Sequence, residues 1–460
     1  MPFAQTIRGL PAKEPLDPKR CLAAVRELLS ELNKKVIGQE RMNRRVVQAA
    51  ILNGHALVQS LPGQGKTTCV KEFAETVGMT YKRIQYIPDM IPSDLQGKYI
   101  LKGKGEGEQG DGGWLKWVHG PIYNNVIVAD EINRAPPKVQ AATLECMQER
   151  TCTTIDRPPE TVYHPRARKY LETMREKRGQ TCFGLPIPDP DDDRRVPFIV
   201  FATQNPIEME GTYPLSEAQT DRFLFKVILH PPLPDSFREI VDKNLPPKPG
   251  DAKPQAADPW DEDEQGYPIW LKSACLLESI RNECIARTGS MHRVFMDEQK
   301  GLWDRVRLIL ALSHYRTESE EPSTVLEEGM LPASLRDPHQ ESLRSFLAGW
   351  NRRSLPTGLK EAVQAMLTNP LFQYVEAGSS VRGLIDWPRA AVAEAFLDEG
   401  NVLRRRHFRA VAEDVLRHRL RLKPEARAEH IDTGDLIHLL LDTLMPERPD
   451  EDADDVKPLI

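Results

Sequence analysis

The sequence predicts an α/β fold, a parallel sheet covered on both faces by helices and followed by a mostly helical region. Three observations carry that prediction. Between Asn33 and about Pro234, the β-type runs Ala56–Gln59, Tyr81–Tyr86, Val126–Ala129, Phe198–Thr203 and Phe223–Leu229 alternate with helical patterns. Strands separated by helices return to the same sheet edge each time, so they run parallel, and a parallel sheet needs cover on both faces. Amphipathic spacing follows the first run (Val70, Phe73, Ala74, Val77) and the third (Val139, Ala142, Cys146, Met147), as helices packed on such a sheet require. Finally, 460 residues with 40% hydrophobic and 28% charged side chains describe a globular chain of two or three packed units.

In chain order, residues 1–32 read as a helical lead-in, because Leu22, Val25, Leu29 and Leu32 recur at helical spacing within Cys21–Leu32. Residues 33–235 form the expected αβα core, interrupted twice. The insert at 97–118 reads as a hairpin, GKYILK and WLKWV joined by a glycine-rich tip from Gly103 to Gly113. The longer insert at 157–196 holds a basic helical piece, Arg166–Arg178, and the acidic turn PDPDDD. Residues 236–265, polar and proline-rich from Pro246 to Glu264, read as a linker or exposed loop. Helical patterns resume across 266–370, in Ile269–Tyr315 and Leu343–Leu367, and continue through a lid-like region at 371–445. The acidic tail at 446–460, containing ERPDEDADD, reads as disordered.

Composition narrows the function. A net charge of −6 argues against a dedicated nucleic-acid binder, although a local basic face stays open. No apolar run approaches the ~20 residues of a membrane helix, and the N-terminal stretch lacks the apolar core of a secretory signal. Seven scattered cysteines without a CxxC pair read as reduced thiols of a cytoplasmic protein. The eleven histidines show no ligand spacing, so no structural metal is expected.

One stretch carries recognisable chemistry. Ser60-Leu-Pro-Gly-Gln-Gly-Lys66-Thr67 follows a strand and opens a helix. A strand–loop–helix turn aims backbone N–H groups and a helix N-terminus at a phosphate. Gly63 and Gly65 allow close approach, Lys66 reaches the β- and γ-phosphates, and Thr67 offers a hydroxyl to Mg²⁺. The nucleotide-binding set is Pro62, Gly63, Gln64, Gly65, Lys66, Thr67 and Thr68. Ser60 stands where GxxxxGK[ST] has its first glycine, so this match taken alone also fits a chance loop. A second stretch, Val126-Ile-Val-Ala-Asp130-Glu131, is an apolar strand ending in two acids. The bland reading is a capping acid; beside a phosphate loop, Asp130 orders the Mg²⁺ shell and Glu131 aligns the attacking water. A third, Phe201-Ala-Thr-Gln-Asn205-Pro, delivers an amide at a strand's C-terminal end, where open α/β sheets bind ligands; alternatively Asn205 only forms a turn.

In residues and order these stretches resemble the MoxR family of the AAA+ ATPases, in the helix-2-insert branch. The resemblance runs through Val36-Ile-Gly-Gln39, SLPGQGKTT, RIQYIPDMIPSDLQG (Arg83–Gly97), GPIYNNVIVADEINRAPPKVQAATLECMQER (Gly120–Arg150), ATQNPIEMEGTYPLSEAQTDRF (Ala202–Phe223), GSSVRG (Gly378–Gly383) and VLRHRL (Val415–Leu420). It implies a three-layer αβα P-loop core, a helical lid and extra helical insertions. It also implies Lys66 and Thr67 as Walker A, Asp130 and Glu131 as Walker B, and Asn205 as sensor 1. Arg222 resembles an arginine finger directed at a neighbouring subunit, and Arg382 a sensor 2 arginine, although Val381 replaces that motif's usual proline. Arginine suits both posts because its charge is permanent and its fork matches phosphate oxygens.

The resemblance further implies Mg²⁺-dependent ATP hydrolysis between subunits of a homo-hexamer. The work implied is remodelling, maturation or activation of a protein partner, together with a von Willebrand factor A domain protein, in the cytoplasm. The hairpin matches an insert that points toward the ring's pore, which makes Trp114, Leu115 and Trp117 candidates for substrate contact; otherwise they pack on their own hairpin. Two rival readings stay open. A nucleic-acid motor of the minichromosome maintenance or McrB type draws on Arg166–Arg178 and Arg404-Arg405-Arg406. A nucleotide-gated scaffold with little turnover draws on Ser60 and Val381.

Overall fold

The computed structural model describes residues 3–10, 13–60, 65–102, 114–154, 157–162, 164–175, 181–182, 185–188, 196–205, 212–229, 239–240, 258–264, 266–297, 369, 371, 374–398 and 403–446. Pro62, Gly63 and Gln64, the hairpin tip, the PDPDDD turn after Pro188, most of the proline-rich stretch, the helical patterns from 298 to Leu367 and the acidic tail lie outside them. The chain divides into two compact units, Met1–Glu283 and Cys284–Ile460, and the boundary falls within the helix Ile269–Asp297.

In the first unit, α1 (Phe3–Gly9), α2 (Pro18–Lys35) and α3 (Glu40–Ile51) precede β1 (Ala56–Gln59). α2 starts where its sequence directs: Asp17 accepts a hydrogen bond from Arg20 N at 2.9 Å and Pro18 occupies the first turn, supplying a cap worth ~1 kcal/mol. Its buried face is Cys21, Ala24, Val25, Leu28 and Leu32. After β1 come α4 (Lys66–Val77), β2 (Tyr81–Gln85) and α5 (Pro92–Gln96), then the hairpin of β3 (Gly97–Lys102) and β4 (Trp114–His119). β5 (Val126–Asp130) leads through one 3₁₀ turn, Ile132–Arg134, into α6 (Pro137–Glu149). β6 (Thr151–Thr154), β7 (Arg157–Thr161), α7 (Pro165–Arg175), β8 (Thr181–Cys182) and β9 (Leu185–Pro186) make up the longer insert. β10 (Ile199–Gln204), α8 (Glu217–Thr220) and β11 (Phe225–Ile228) complete the sheet.

The sheet is parallel in the order β11-β1-β10-β5-β2, and its members are the runs expected from sequence, β1 with the same bounds and the others shifted by one or two residues at one or both ends. The fold of this unit is α/β, and the second unit is mostly helical. β5 is buried along its whole length, as a central strand covered on both faces must be. Leu57, Ile127, Ala129, Val200 and Ala202 share one core with Val139, Leu144 and Met147 of α6. α2, α3 and α4 pack on one another. Register is continuous across the centre, with Gln59 beside Gln204, Ala202 beside Ala129 and Gln85 beside Asp130. The C-terminal ends of β1, β10, β5 and β2 therefore finish along one edge.

The opposite edge is braced by Arg150, which donates to the carbonyl oxygens of Asn53 (2.7 Å) and Phe198, and by His55, bonded to Val200 N and Met147 O. Residues 258–264, the end of the stretch read as a linker, fold back onto this unit. There Asp263 pairs at 2.8 Å with a fully buried Lys272.

The second unit pairs β12 (Val375–Ala377) with β13 (Arg421–Leu422), antiparallel, beside the helices Val381–Leu397, Arg405–Leu416, Pro424–Ala428 and Thr433–Leu444. Trp387 is fully buried, donates its indole N–H to Phe408 O at 2.9 Å and meets the Phe408 ring edge-on.

Candidate nucleotide-binding site

The phosphate-loop candidate leaves β1 at Ser60, whose N–H donates to Gln204 O at 3.3 Å, and reaches α4 through Gly65. Gly65 holds φ 76° and ψ 10° and directly precedes α4. A side chain there would find open space, so glycine is required for its dihedral, which costs other residues about 1–2 kcal/mol. Lys66 and Thr67 open α4, half-buried, with Thr68 exposed. The start of this helix offers unpaired N–H groups and a partial positive charge to an anion.

Two strands away, Asp130 ends β5 and is buried. Its Oδ1 accepts from Thr203 Oγ1 at 2.6 Å, and its Oδ2 accepts from Arg83 Nε and Nη2 at 3.0 and 2.5 Å. Glu131 turns the chain at φ 57°, ψ 49° and donates its N–H to the same Thr203 Oγ1 at 2.9 Å. Glu131 Oε2 accepts from Gln85 Nε2 at 2.9 Å and from Arg134 Nη1 at 3.1 Å. Asn205 lies buried, one residue past β10. Gln140 donates to Ile132 O, Ala135 O and Tyr213 O, and Tyr213 N donates to Asn133 O. These bonds pin the chain beyond Asn205 against the turn that carries Glu131.

Lys66, Thr67, Asp130, Glu131 and Asn205 thus gather at the ends of three adjacent strands, β1, β10 and β5. Arg222 does not join them. It precedes β11 at the edge where strands enter the sheet, two residues before Leu224, whose N–H donates to His55 O at 2.8 Å. Arg382 opens the helix Val381–Leu397 in the second unit, exposed, its N–H donating to Ser380 Oγ at 3.2 Å. In the hairpin, Trp117 is half-buried and stacks edge-on against Tyr99 at 5.1 Å, while Leu115 is 65% exposed; the Trp114 side chain lies outside the described residues.

Thr203, Arg83, Gln85 and Arg134 all bond the two acids, and sequence reasoning gave none of them a role. A signal existed for two of them. In the edge strand YKRIQ, Arg83 and Gln85 are two apart and share a face, beside the strand that ends in the acids. The metal donors fit Mg²⁺, since Thr67 and Asp130 supply hard oxygens. Among the described residues no group of three or more His, Cys, Asp and Glu side chains could hold a metal.

The profile described as "ATPase family associated with various cellular activities (AAA)" matches residues 55–167 and 165–225, and an AAA lid domain matches 373–439. The chain is 39% identical over 211 residues to Chaperone MoxR1 of Mycobacterium tuberculosis, covering 46% of this chain and 45% of that protein. It is 36% identical over 214 residues to the uncharacterized protein YeaC of Bacillus subtilis (46% and 53% covered), and 28% identical over 208 residues to Protein MoxR of Methylorubrum extorquens (44% and 48% covered). The chain thus spans about half the length of the curated relatives it matches. A crystal structure of a proposed ATPase from Cytophaga hutchinsonii superposes with a TM-score of 0.59 at 27% identity, over 94% of this chain and 97% of that one.

Proposed function

This chain belongs to the MoxR family of AAA+ ATPases, and on that premise we propose that it hydrolyses ATP at the interfaces of a ring, read as a homo-hexamer, to remodel or activate a protein partner. The observation that supports this best is the convergence of the Lys66 helix start, the Asp130–Glu131 pair and Asn205 at adjacent parallel strand ends. Lys66 and the start of α4 bind the phosphates. Thr67 and Asp130 would hold Mg²⁺, and the chemistry it would supply there is neutralisation of the charge that develops on the phosphates. Glu131 aligns the attacking water and Asn205 holds it toward the γ-phosphate. The bonds from Gln85 and Arg134 both fall on Glu131 Oε2 and fix the orientation of the carboxylate.

Arg222 is the finger for the next subunit's nucleotide, and Arg382 takes the sensor 2 role that its motif resembles. The partner proposed is a von Willebrand factor A domain protein, the kind with which MoxR-like ATPases commonly act. No described helix is long and apolar enough to cross a membrane.

Glu131→Gln tests this reading. Phosphate release is expected to fall about 10²–10⁴-fold while ATP still binds. Affinity capture with that variant in ATP is expected to retain a von Willebrand factor A protein that Lys66→Ala does not. Unchanged phosphate release would remove Glu131 from the chemistry; capture of nucleic acid instead would move the reading to a motor.

A further inference from the structure

Asp130 is held on both oxygens by the protein itself. Thr203 takes Oδ1, while Arg83 places two N–H groups on Oδ2, at 3.0 and 2.5 Å. A carboxylate oxygen has about two lone-pair sites, so Oδ2 is filled. Arg83 belongs to β2, the edge strand of the sheet, and its side chain is 52% exposed whereas that of Asp130 is 7%. The pair therefore joins a fixed acid to a cation that has somewhere to go. Arg83 Nη2 also donates to Gln85 Oε1 at 2.9 Å, and Gln85 Nε2 donates to Glu131 Oε2 at 2.9 Å. One hydrogen-bonded arc thus runs from Asp130 through two β2 side chains to Glu131.

We propose that Arg83 is a built-in cation that occupies Asp130 Oδ2 and competes with a divalent metal ion for that carboxylate. A metal ion approaching Asp130 meets a full positive charge on the same carboxylate, and like charges at that range repel. Arg83 is then a positioning residue: swinging out, it breaks its bond to Gln85 and loosens the hold on Glu131. Metal arrival and a loosening of the Gln85 bond to Glu131 become coupled, while the Arg134 bond to Glu131 stays in place. Without this coupling, Arg83 would be an ordinary surface ion pair, whose loss would leave metal affinity unchanged.

The inference rests on Asp130 as a metal ligand, and its test separates the two. Mn²⁺ binding is followed by the spin-resonance signal of the unbound ion, with a non-hydrolysable ATP analogue present, so that turnover plays no part. Arg83→Gln is expected to bind Mn²⁺ about fivefold tighter than wild type, the change that removal of a half-exposed ion pair allows. Arg83→Lys, which keeps the charge on a single-point donor, is expected to fall between them and keeps the test open should the glutamine variant not fold. Equal or weaker Mn²⁺ binding by both variants overturns the inference, because Arg83 would then be orienting Asp130 instead of competing for it. Mn²⁺ binding that survives Asp130→Asn unchanged overturns the metal reading and this inference together.

Discussion

Glu131 sits at φ 57°, ψ 49°, a conformation that costs a residue with a side chain about 1–2 kcal/mol. The Thr203 hydroxyl accepting its N–H, and its own carbonyl accepting Arg134 N at 2.9 Å, hold the turn, which under the proposed function lets consecutive acids serve different tasks. At the other edge His55 does the opposite work, purely structural. Val200 N donates to its Nδ1 at 3.0 Å, so the proton sits on Nε2 and is donated to Met147 O at 3.0 Å. Burial, and then the Arg150 guanidinium, hold the imidazole pKa well below its ordinary value, and the bond to Met147 offsets only part of that. The unfolded chain takes up a proton below about pH 6.5 where the folded chain does not. Stability from a neutral His55 is thus present above that pH and is lost as pH falls below it. The thermal midpoint of wild type is expected to drop between about pH 7.5 and about pH 5.5, and less steeply for His55→Gln, which carries no proton. Equal slopes for the two proteins would show that His55 is not the group that titrates.

Among the elements, the strands were legible and their anchors were not. VIVAD announces a central strand by being apolar to its last residue but one, and the glycines at 65 and 78 bracket α4 with the left-handed turns it needs. The hairpin, too, was readable from two alternating runs, although Gly120 is needed for a contact no sequence shows: a Cβ there would overlap the Leu95 carbonyl. Lys272 shows why the rest was hidden. Its helix read only as one of the helical patterns after the proline-rich stretch, yet its ammonium is buried and donates to Arg8 O, Leu10 O and Asp263 Oδ2 at 2.8, 2.7 and 2.8 Å. Those acceptors lie on α1, just beyond it and on the stretch read as a linker; contacts so distant in sequence leave no local pattern. The site followed the same rule. The loop and the two acids declare themselves by spacing, whereas Thr203 and Arg83 matter only because β10 and β2 flank β5. Lys272→Ala strands a buried carboxylate and two carbonyls and is expected to cost about 3–5 kcal/mol. A fall in the urea midpoint with an unchanged slope would show it; an unmoved midpoint would mean that Asp263 escapes to solvent at no cost.

At the scale of the whole molecule, the position of Arg222 favours a ring. β11 runs parallel to β1 with Phe225 beside Ala56, so Arg222 lies at the edge where strands begin, while Ser60 and the phosphate loop lie where β1 ends. The four residues of β1 separate those edges by ~13 Å, further than an extended arginine side chain reaches. An arginine with a catalytic role placed there can serve only a nucleotide bound to another copy, and a surface on one face completing a site on another generates a head-to-tail ring. Arg222→Ala alone is expected to lose about 10³–10⁵ in turnover, as removal of an arginine finger does. Mixing gives the sharper result. A subunit carrying Arg222→Ala keeps its own Lys66, Asp130 and Glu131, and a subunit carrying Glu131→Gln keeps its Arg222. Where the first binds ATP and the second stands beside it, one complete site forms. Random assembly of equal parts makes about a quarter of the interfaces complete, so the mixture is expected to regain up to that share of wild-type phosphate release from two nearly inactive parents. If activity returns, the arginine crosses the interface. If the mixture is no more active than its parents, Arg222 acts within its own chain or not at all, and the ring loses its main chemical argument.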